Sequence, residues 1–176
     1  MITALFAHPY PRFSIVSYPL LMGLKNQFPR MDARMLYDLY PDGAINVAEE
    51  REAVSRSSLL LVLHPVFWYS VPALLKQWFD TVLGYGFAYG EGAPTLRGKA
   101  VLWMPSIGSG FHGRGFQGPV EISEVQAPIK RMWESCGATW LEPQVIDSRV
   151  PMTSGDFASV LDSVADRMAE WEAEND

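Results

Sequence analysis

The run from Leu59 to Gly90, LLLVLHPVFWYSVPALLKQWFDTVLGYGFAYG, constrains the fold of this chain more than any other segment. Leu59 to Leu63 is continuously apolar, as in a strand covered on both faces. The strand reads as breaking at His64-Pro65, because proline has no N–H to give to a ladder. Phe67, Trp68 and Tyr69 then share one tight loop, and a helix starts at or just after Pro72. In that helix, Ala73 to Val82, the residues Leu74, Leu75, Trp78, Phe79 and Val82 recur at helical spacing, which assigns Trp78 and Phe79 to packing. A strand that ends in a polar-aromatic loop and re-enters a helix is where open α/β sheets bind ligands. Aromatic rings at that point suggest a flat ring system as the ligand.

The rest of the chain repeats the alternation. Strands are predicted at Ile2 to Ala7, Asp32 to Leu36, Ala100 to Met104 and Thr139 to Val145, the last interrupted near Pro143. Helices are predicted at Ser14 to Phe28, Val47 to Ser57, Glu121 to Cys136 and Phe157 to Trp171, with Gly137 in a C-terminal cap position. Five strands alternating with five helices imply right-handed crossovers and a parallel sheet. The expected fold is α/β: a flavodoxin-like three-layer sandwich around a five-stranded parallel sheet in the order 2-1-3-4-5, with residues 1–176 as one domain. The loops at 84–99 and 105–119 are long for such a domain, and long ordered loops usually carry function.

Composition limits the partners. A chain of 176 residues, 48% hydrophobic and 19% charged, is long and apolar enough to bury a full core. Its net charge of −6 argues against nonspecific binding to nucleic acid or anionic membrane. No apolar stretch reaches the roughly 20 residues of a membrane span, and Ile2 to Ala7 is too short for a signal peptide. The single cysteine, Cys136, rules out an internal disulfide and fits a reducing, cytoplasmic setting. No Cys/His cluster has metal-ligand spacing, so no metal is expected.

The candidate site gathers at strand ends. Strands one and three both finish in a histidine and a proline, Phe6-Ala7-His8-Pro9 and Val62-Leu63-His64-Pro65. Solvated imidazoles in turns would explain both, and that reading is preferred for His64. His8 is assigned to function, because the loop after it leads into a helix start. There Ser14 and Ser17 could add hydroxyl donors to the free N–H groups that make helix N-termini phosphate sites; either serine could instead be an N-cap. The fourth strand ends in Ser106-Ile107-Gly108-Ser109, small residues that let backbone approach a planar ligand. Gly-x-Gly-x-x-Gly and P-loop signatures are absent. His112, in the glycine-rich loop that follows, is a candidate for acting on substrate; a solvated loop histidine is the other reading.

These residues resemble a known family. HPY-P-x-x-S near the N-terminus, HPVFWYSVPALLKQWFDTVLGYGFAYG, GKAVLW leading into a Ser/Gly turn, and CGATWLEP are similar to the NAD(P)H:quinone oxidoreductases, flavodoxin-like flavoproteins. Within them the likeness is to KefF/KefG-type ancillary oxidoreductases of bacterial glutathione-gated potassium efflux systems. The resemblance implies an FMN-binding homodimer that uses NAD(P)H as cosubstrate and a quinone-type acceptor. His8, Ser14, Ile15, Val16 and Ser17 would hold the phosphate and ribityl chain; Val66, Phe67, Trp68 and Tyr69 would line the isoalloxazine. Ser106, Ile107, Gly108 and Ser109 would meet its pyrimidine edge, Tyr69 and His112 would serve catalysis, and Phe87 and Tyr89 would lie at the dimer interface near the partner's flavin.

The implied reaction is a two-electron, ping-pong hydride transfer. The alternative is a regulatory ancillary subunit of a potassium-efflux antiporter with secondary reductase activity, cytoplasmic but held peripherally at the inner membrane by its partner. A flavin-binding domain without efficient quinone turnover is the third reading. Relatives often carry Asn where Ser17 stands and Thr-Thr-Gly-Gly where Ser106-Ile107-Gly108-Ser109 stands.

Overall fold

The computed structural model describes residues 1–92, 95–108, 121–148 and 151–175. The strands are β1 (Ile2–Phe6), β2 (Asp32–Met35), β3 (Leu59–Pro65), β4 (Ala100–Ile107), β5 (Thr139–Trp140) and β6 (Ile146–Asp147). The helices are α1 (Ser17–Gln27), α2 (Leu36–Leu39), α3 (Val47–Arg56), α4 (Ala73–Val82), α5 (Ile122–Ser135) and α6 (Ser154–Asn175). All strand pairs are parallel, in the order β2-β1-β3-β4-β5, with β6 also on β4. The expected sheet order is therefore the observed one. Its fifth position is filled by two short pieces, because pairing thins around Pro143, where only Leu141 N–H (to Val101 O, 3.0 Å) and Gln144 N–H (to Trp103 O, 2.9 Å) still reach β4.

Every residue of β3 and β4 is buried. Alternation sends Leu60, Val62, Val101 and Trp103 to one face, where they meet α3, α4 and α5. Leu59, Leu61, Leu63, Leu102 and Met104 go to the other, against α1 and α6. Helix α4 matches its predicted bounds, and Trp78 and Phe79 are buried in it as expected. Helix α5 opens on a reciprocal capping box between Glu121 and Glu124. Gly137 follows it with φ +87°, the left-handed cap conformation read from the sequence.

Three expectations are corrected. The first helix starts at Ser17 rather than Ser14: Pro11–Phe13 forms a 3₁₀ turn and Ser14 is extended. Strand β3 continues through His64 and Pro65 instead of breaking there, and β4 continues through Pro105, Ser106 and Ile107. Val66 N–H bonds to Ser106 O of β4, so the Pro65 nitrogen faces the β1 side, past the last paired residue of that strand. Pro105 forgoes one ladder bond between Trp103 O, which accepts from Gln144 N–H, and Ile107 O, which accepts from Ser148 N–H. His64 is likewise no solvated turn residue. It is fully buried, with Trp103 Nε1–H donating to its Nε2 at 2.7 Å and its Nδ1 lying 2.9 Å from Pro65 O. Two such partners fix the Nδ1–H tautomer, and burial pulls its pKa down to about 4.

A buried polar network invisible to the sequence reading joins β2 to the helices above it. The fully buried Glu50 of α3 accepts from Arg34 (Nε 3.1 Å, Nη2 2.6 Å) and from Tyr40 Oη (2.6 Å) through one oxygen. Its other oxygen accepts from Trp78 Nε1 at 2.8 Å. Burial, and then the bond to Glu50, push the Tyr40 hydroxyl up to about 12. Removing Glu50 leaves Arg34 its bond to Glu49 (2.6 Å) but orphans the buried donors of Tyr40 and Trp78, so Glu50→Ala should lower the unfolding free energy by about 2–5 kcal/mol in urea titrations; a loss under about 1 kcal/mol would contradict this role. His64 sets a pH dependence of definite sign. The unfolded chain protonates it near pH 6.5 and the folded chain only near 4, so its contribution is intact above about 6.5 and lost as pH falls towards 4. The loss should reach about 1.4 kcal/mol at pH 5.5 and about 3 kcal/mol at pH 4. His64→Gln should flatten the stability profile over that window by this amount, and an equally steep profile would refute it.

Candidate functional site

The carboxyl ends of β1, β3 and β4 meet at one edge of the sheet, the crevice where strand order reverses. Beyond β1 the chain passes through Ala7 to His8. The half-buried imidazole of His8 lies nearly parallel to the Phe6 ring, with centroids 6.3 Å apart. Its Nδ1 accepts the Tyr10 N–H at 3.1 Å, which leaves Nε2–H as the donor of the neutral ring. Burial pushes the His8 pKa below the usual imidazole value.

The turn at Pro11–Phe13 delivers the chain to the start of α1. Ser14 Oγ accepts the Tyr18 N–H at 3.0 Å, so Ser14 has the capping function weighed for it. Val16 occupies the N-cap position with no side-chain cap, and the first turn holds no acidic residue. Ser17, buried and first in the helix, has a hydroxyl with no hydrogen-bond partner. A buried hydroxyl left unpaired at a helix N-terminus costs about 1–3 kcal/mol, and a bound anion would satisfy it.

These pieces enclose a cleft of about 200 Å³. His8, Ser14, Ile15, Val16 and Ser17 form one wall. Val66 and Phe67 form another, and Ser106 and Gly108 close the far end. The structure thus brings together nine of the residues singled out from the sequence. It adds Phe13, Pro65 and Ser148. No carboxylate lines the cleft among the described residues, and His8 is the one titratable side chain there. That donor set, with its orphan hydroxyl and dipole end, suits an anion such as a phosphate group.

Other candidates stand apart. Phe67 and Ser70 exchange backbone hydrogen bonds at 3.0 Å, and between them Trp68 and Tyr69 have φ of +49° and +60°. Two consecutive positive φ values are the mark of a type I′ turn, normally Asn-Gly territory. Trp68 is 93% exposed at its tip; neither it nor Tyr69 lines the cleft. Ile107 is buried in β4, where its carbonyl accepts both the N–H (2.9 Å) and the hydroxyl (2.8 Å) of Ser148. Ser109 and His112 lie outside the described residues. Phe87 is half-buried against its own core, so the outward face of its loop is Tyr85 and Tyr89. Ser148 escaped the sequence reading because the last strand was ended at Val145; a strand carried to Asp147 would have placed it at a carboxyl end. Among the described residues, no helix is long and apolar enough to cross a membrane.

Comparison with known proteins agrees with this fold. The glutathione-regulated potassium-efflux system ancillary protein KefF of Enterobacter sp. (strain 638) is 40% identical over 143 residues, 81% of each chain. The crystal structure of general stress protein 14 from Treponema denticola, in complex with FMN, superposes with a TM-score of 0.79 at 28% identity, covering 98% of each chain. An NADPH-quinone reductase from P. pentosaceus, 23% identical over 95% of this chain and 96% of its own, shares the fold with a TM-score of 0.80. The model of the family described as flavodoxin-like fold, Flavodoxin_2, matches residues 1–170, and the chain belongs to that family.

Proposed function

We propose that this chain is an FMN-dependent NAD(P)H:quinone oxidoreductase that works as a homodimer. The observation that carries the reading is the unpartnered, buried hydroxyl of Ser17 at the start of α1, on the wall of a cleft without carboxylates among the described residues. The FMN held by general stress protein 14, which this chain matches over 98% of its length, supports the same assignment. When bound, FMN supplies the two-electron relay between a nicotinamide donor and an acceptor.

The chain's own residues bind and orient. Ser17 Oγ and the α1 N-terminus hold the phosphate, with the Ser14 hydroxyl and the His8 Nε2–H beside it. Ile15 and Val16 follow the ribityl chain, Val66 and Phe67 face the ring system, and Ser106 and Gly108 meet its far edge. Trp68 and Tyr69, turned out of the cleft, receive what arrives from solvent: NAD(P)H and a quinone-type acceptor use this open face in turn, the ping-pong order. Tyr69 orients the acceptor there, and His112 is proposed to assist it. The Tyr85–Tyr89 face of one protomer reaches towards the cleft of its partner.

A second reading is favoured by the name of the 40% identical relative, an ancillary protein of a potassium-efflux system. On that reading the chain is a cytoplasmic subunit docked on the efflux antiporter, with its reductase activity secondary. Efflux control preserved in a variant without turnover would select it.

Purified protein should show flavin absorbance or take up added FMN; a colourless protein that takes up none sinks the proposal. Ser17→Ala should weaken FMN binding by about tenfold or more, as expected for a lost bond to a charged group, yet leave the flavin-free protein as stable as before or more so. Fluorescence titration and urea unfolding read these opposite signs, and unchanged FMN affinity would count against the phosphate site. Trp68→Ala should leave FMN affinity within about twofold while raising the KM for acceptor, since its ring lies outside the cleft; steady-state kinetics on the flavin-loaded variant decide it.

A further inference from the structure

The segment after α4 folds into a compact knuckle over residues 84–90. The N–H groups of Phe87 and Ala88 both reach Gly84 O, at 3.2 and 3.1 Å, and Gly86 N–H donates to Tyr89 O at 2.9 Å. Ala88 is buried, and Phe87 packs inward. Tyr85 and Tyr89 meet edge to face at 5.9 Å and are 67% and 53% exposed. Gly90 gives the Tyr85 ring its seat: a Cβ there would collide with Tyr85 Cε2, and its φ of +92° also favours glycine.

One side chain from another element holds this knuckle. Arg51, on α3, donates from Nε to Val82 O at 2.9 Å and so caps the end of α4. Its guanidinium lies 4.9 Å from the centre of the Phe87 ring, within cation–π reach. Gly84 makes room for it, since a Cβ there would stand 2.8 Å from Arg51 Nη2. Arg51 therefore joins the last turn of α4 to the inward ring of the loop, and the two outward tyrosines take their pose from that joint. Exposed aromatics already fixed in place lose little conformational freedom on contact.

We propose that Arg51 is a positioning residue for the acceptor site: it sets the Tyr85–Tyr89 face in the pose that meets the cleft of a second copy. This rests on the dimeric reductase reading above. The test uses flavin-loaded, full-length protein with menadione as acceptor. Arg51→Gln should raise the menadione KM about tenfold, with kcat and FMN content within about twofold of the parent, and Arg51→Lys should recover most of the loss. Gly84→Ala, which displaces the guanidinium without removing it, should raise KM likewise, and it decides the matter if Arg51→Gln does not fold. Tyr89→Ala should also raise KM. If Tyr89→Ala raises KM and folded Arg51→Gln does not, Arg51 is a helix cap only and the proposal falls while the dimeric reading stands. If neither changes KM, if Arg51→Gln alone does, or if the parent protein is monomeric in sedimentation or does not turn over menadione, the proposal falls; the first and last two of these results also remove the reading beneath it.

Discussion

Two central strands that outrun their neighbour are the constraint on which the rest of this molecule rests. β3 pairs with β1 only as far as Leu63, yet it continues with β4 for two more residues. At that overhang β3 has one neighbour instead of two, and side chains must supply the remaining cohesion. The bond from Trp103 to His64 does so in the layer below the cleft, between the two overhanging strands. Both partners are fully buried. Everything that lines the far side of the cleft, from Val66 and Phe67 to Ser106 and Gly108, leaves from this raised ledge.

The opposite wall follows a different logic. At the start of α1, Ser14 takes the Tyr18 N–H, yet the buried Ser17 withholds its hydroxyl from every neighbour. A segment under selection for stability alone would have closed that gap, since satisfied hydroxyls are easily acquired. Local imperfection of this kind concentrates where a ligand completes the structure. The Trp68-Tyr69 turn shows the same trait in backbone form, with left-handed conformations at two bulky residues.

What the sequence made legible was whatever depends on periodicity. Helix α4 was read residue for residue, because five apolar side chains repeat at its spacing. The sheet order followed from the alternation of strands and helices. The wall from His8 to Ser17 was legible because a strand end leading to a helix start has a known chemistry. The prolines hide the true ends of β3 and β4: the rule against proline in strands assumes a ladder partner for the missing N–H, and Pro65 lies past the last paired residue of β1, while β4 tolerates one forgone bond at Pro105. The Glu50 network was beyond reach, since its partners lie 16, 10 and 28 residues away and share no spacing. The outward pose of Trp68 was hidden as well, because nothing in Phe-Trp-Tyr-Ser announces a turn that usually calls for Asn-Gly.

The placement of Glu50 also bears on how this protein moves. Its carboxylate is held at once by β2, by the residue that ends α2, and by α4. Such an element cannot fray by itself, because releasing α4 breaks bonds that three other segments share. The aromatic turn at 67–70 precedes α4 and the 84–90 knuckle follows it, so both hang from one immobile rod. Amide exchange in α4 should then track global opening rather than local breathing. Motion at the cleft is left to the rims: the site is a rigid frame with two short aromatic lips, and not a pair of domains that close.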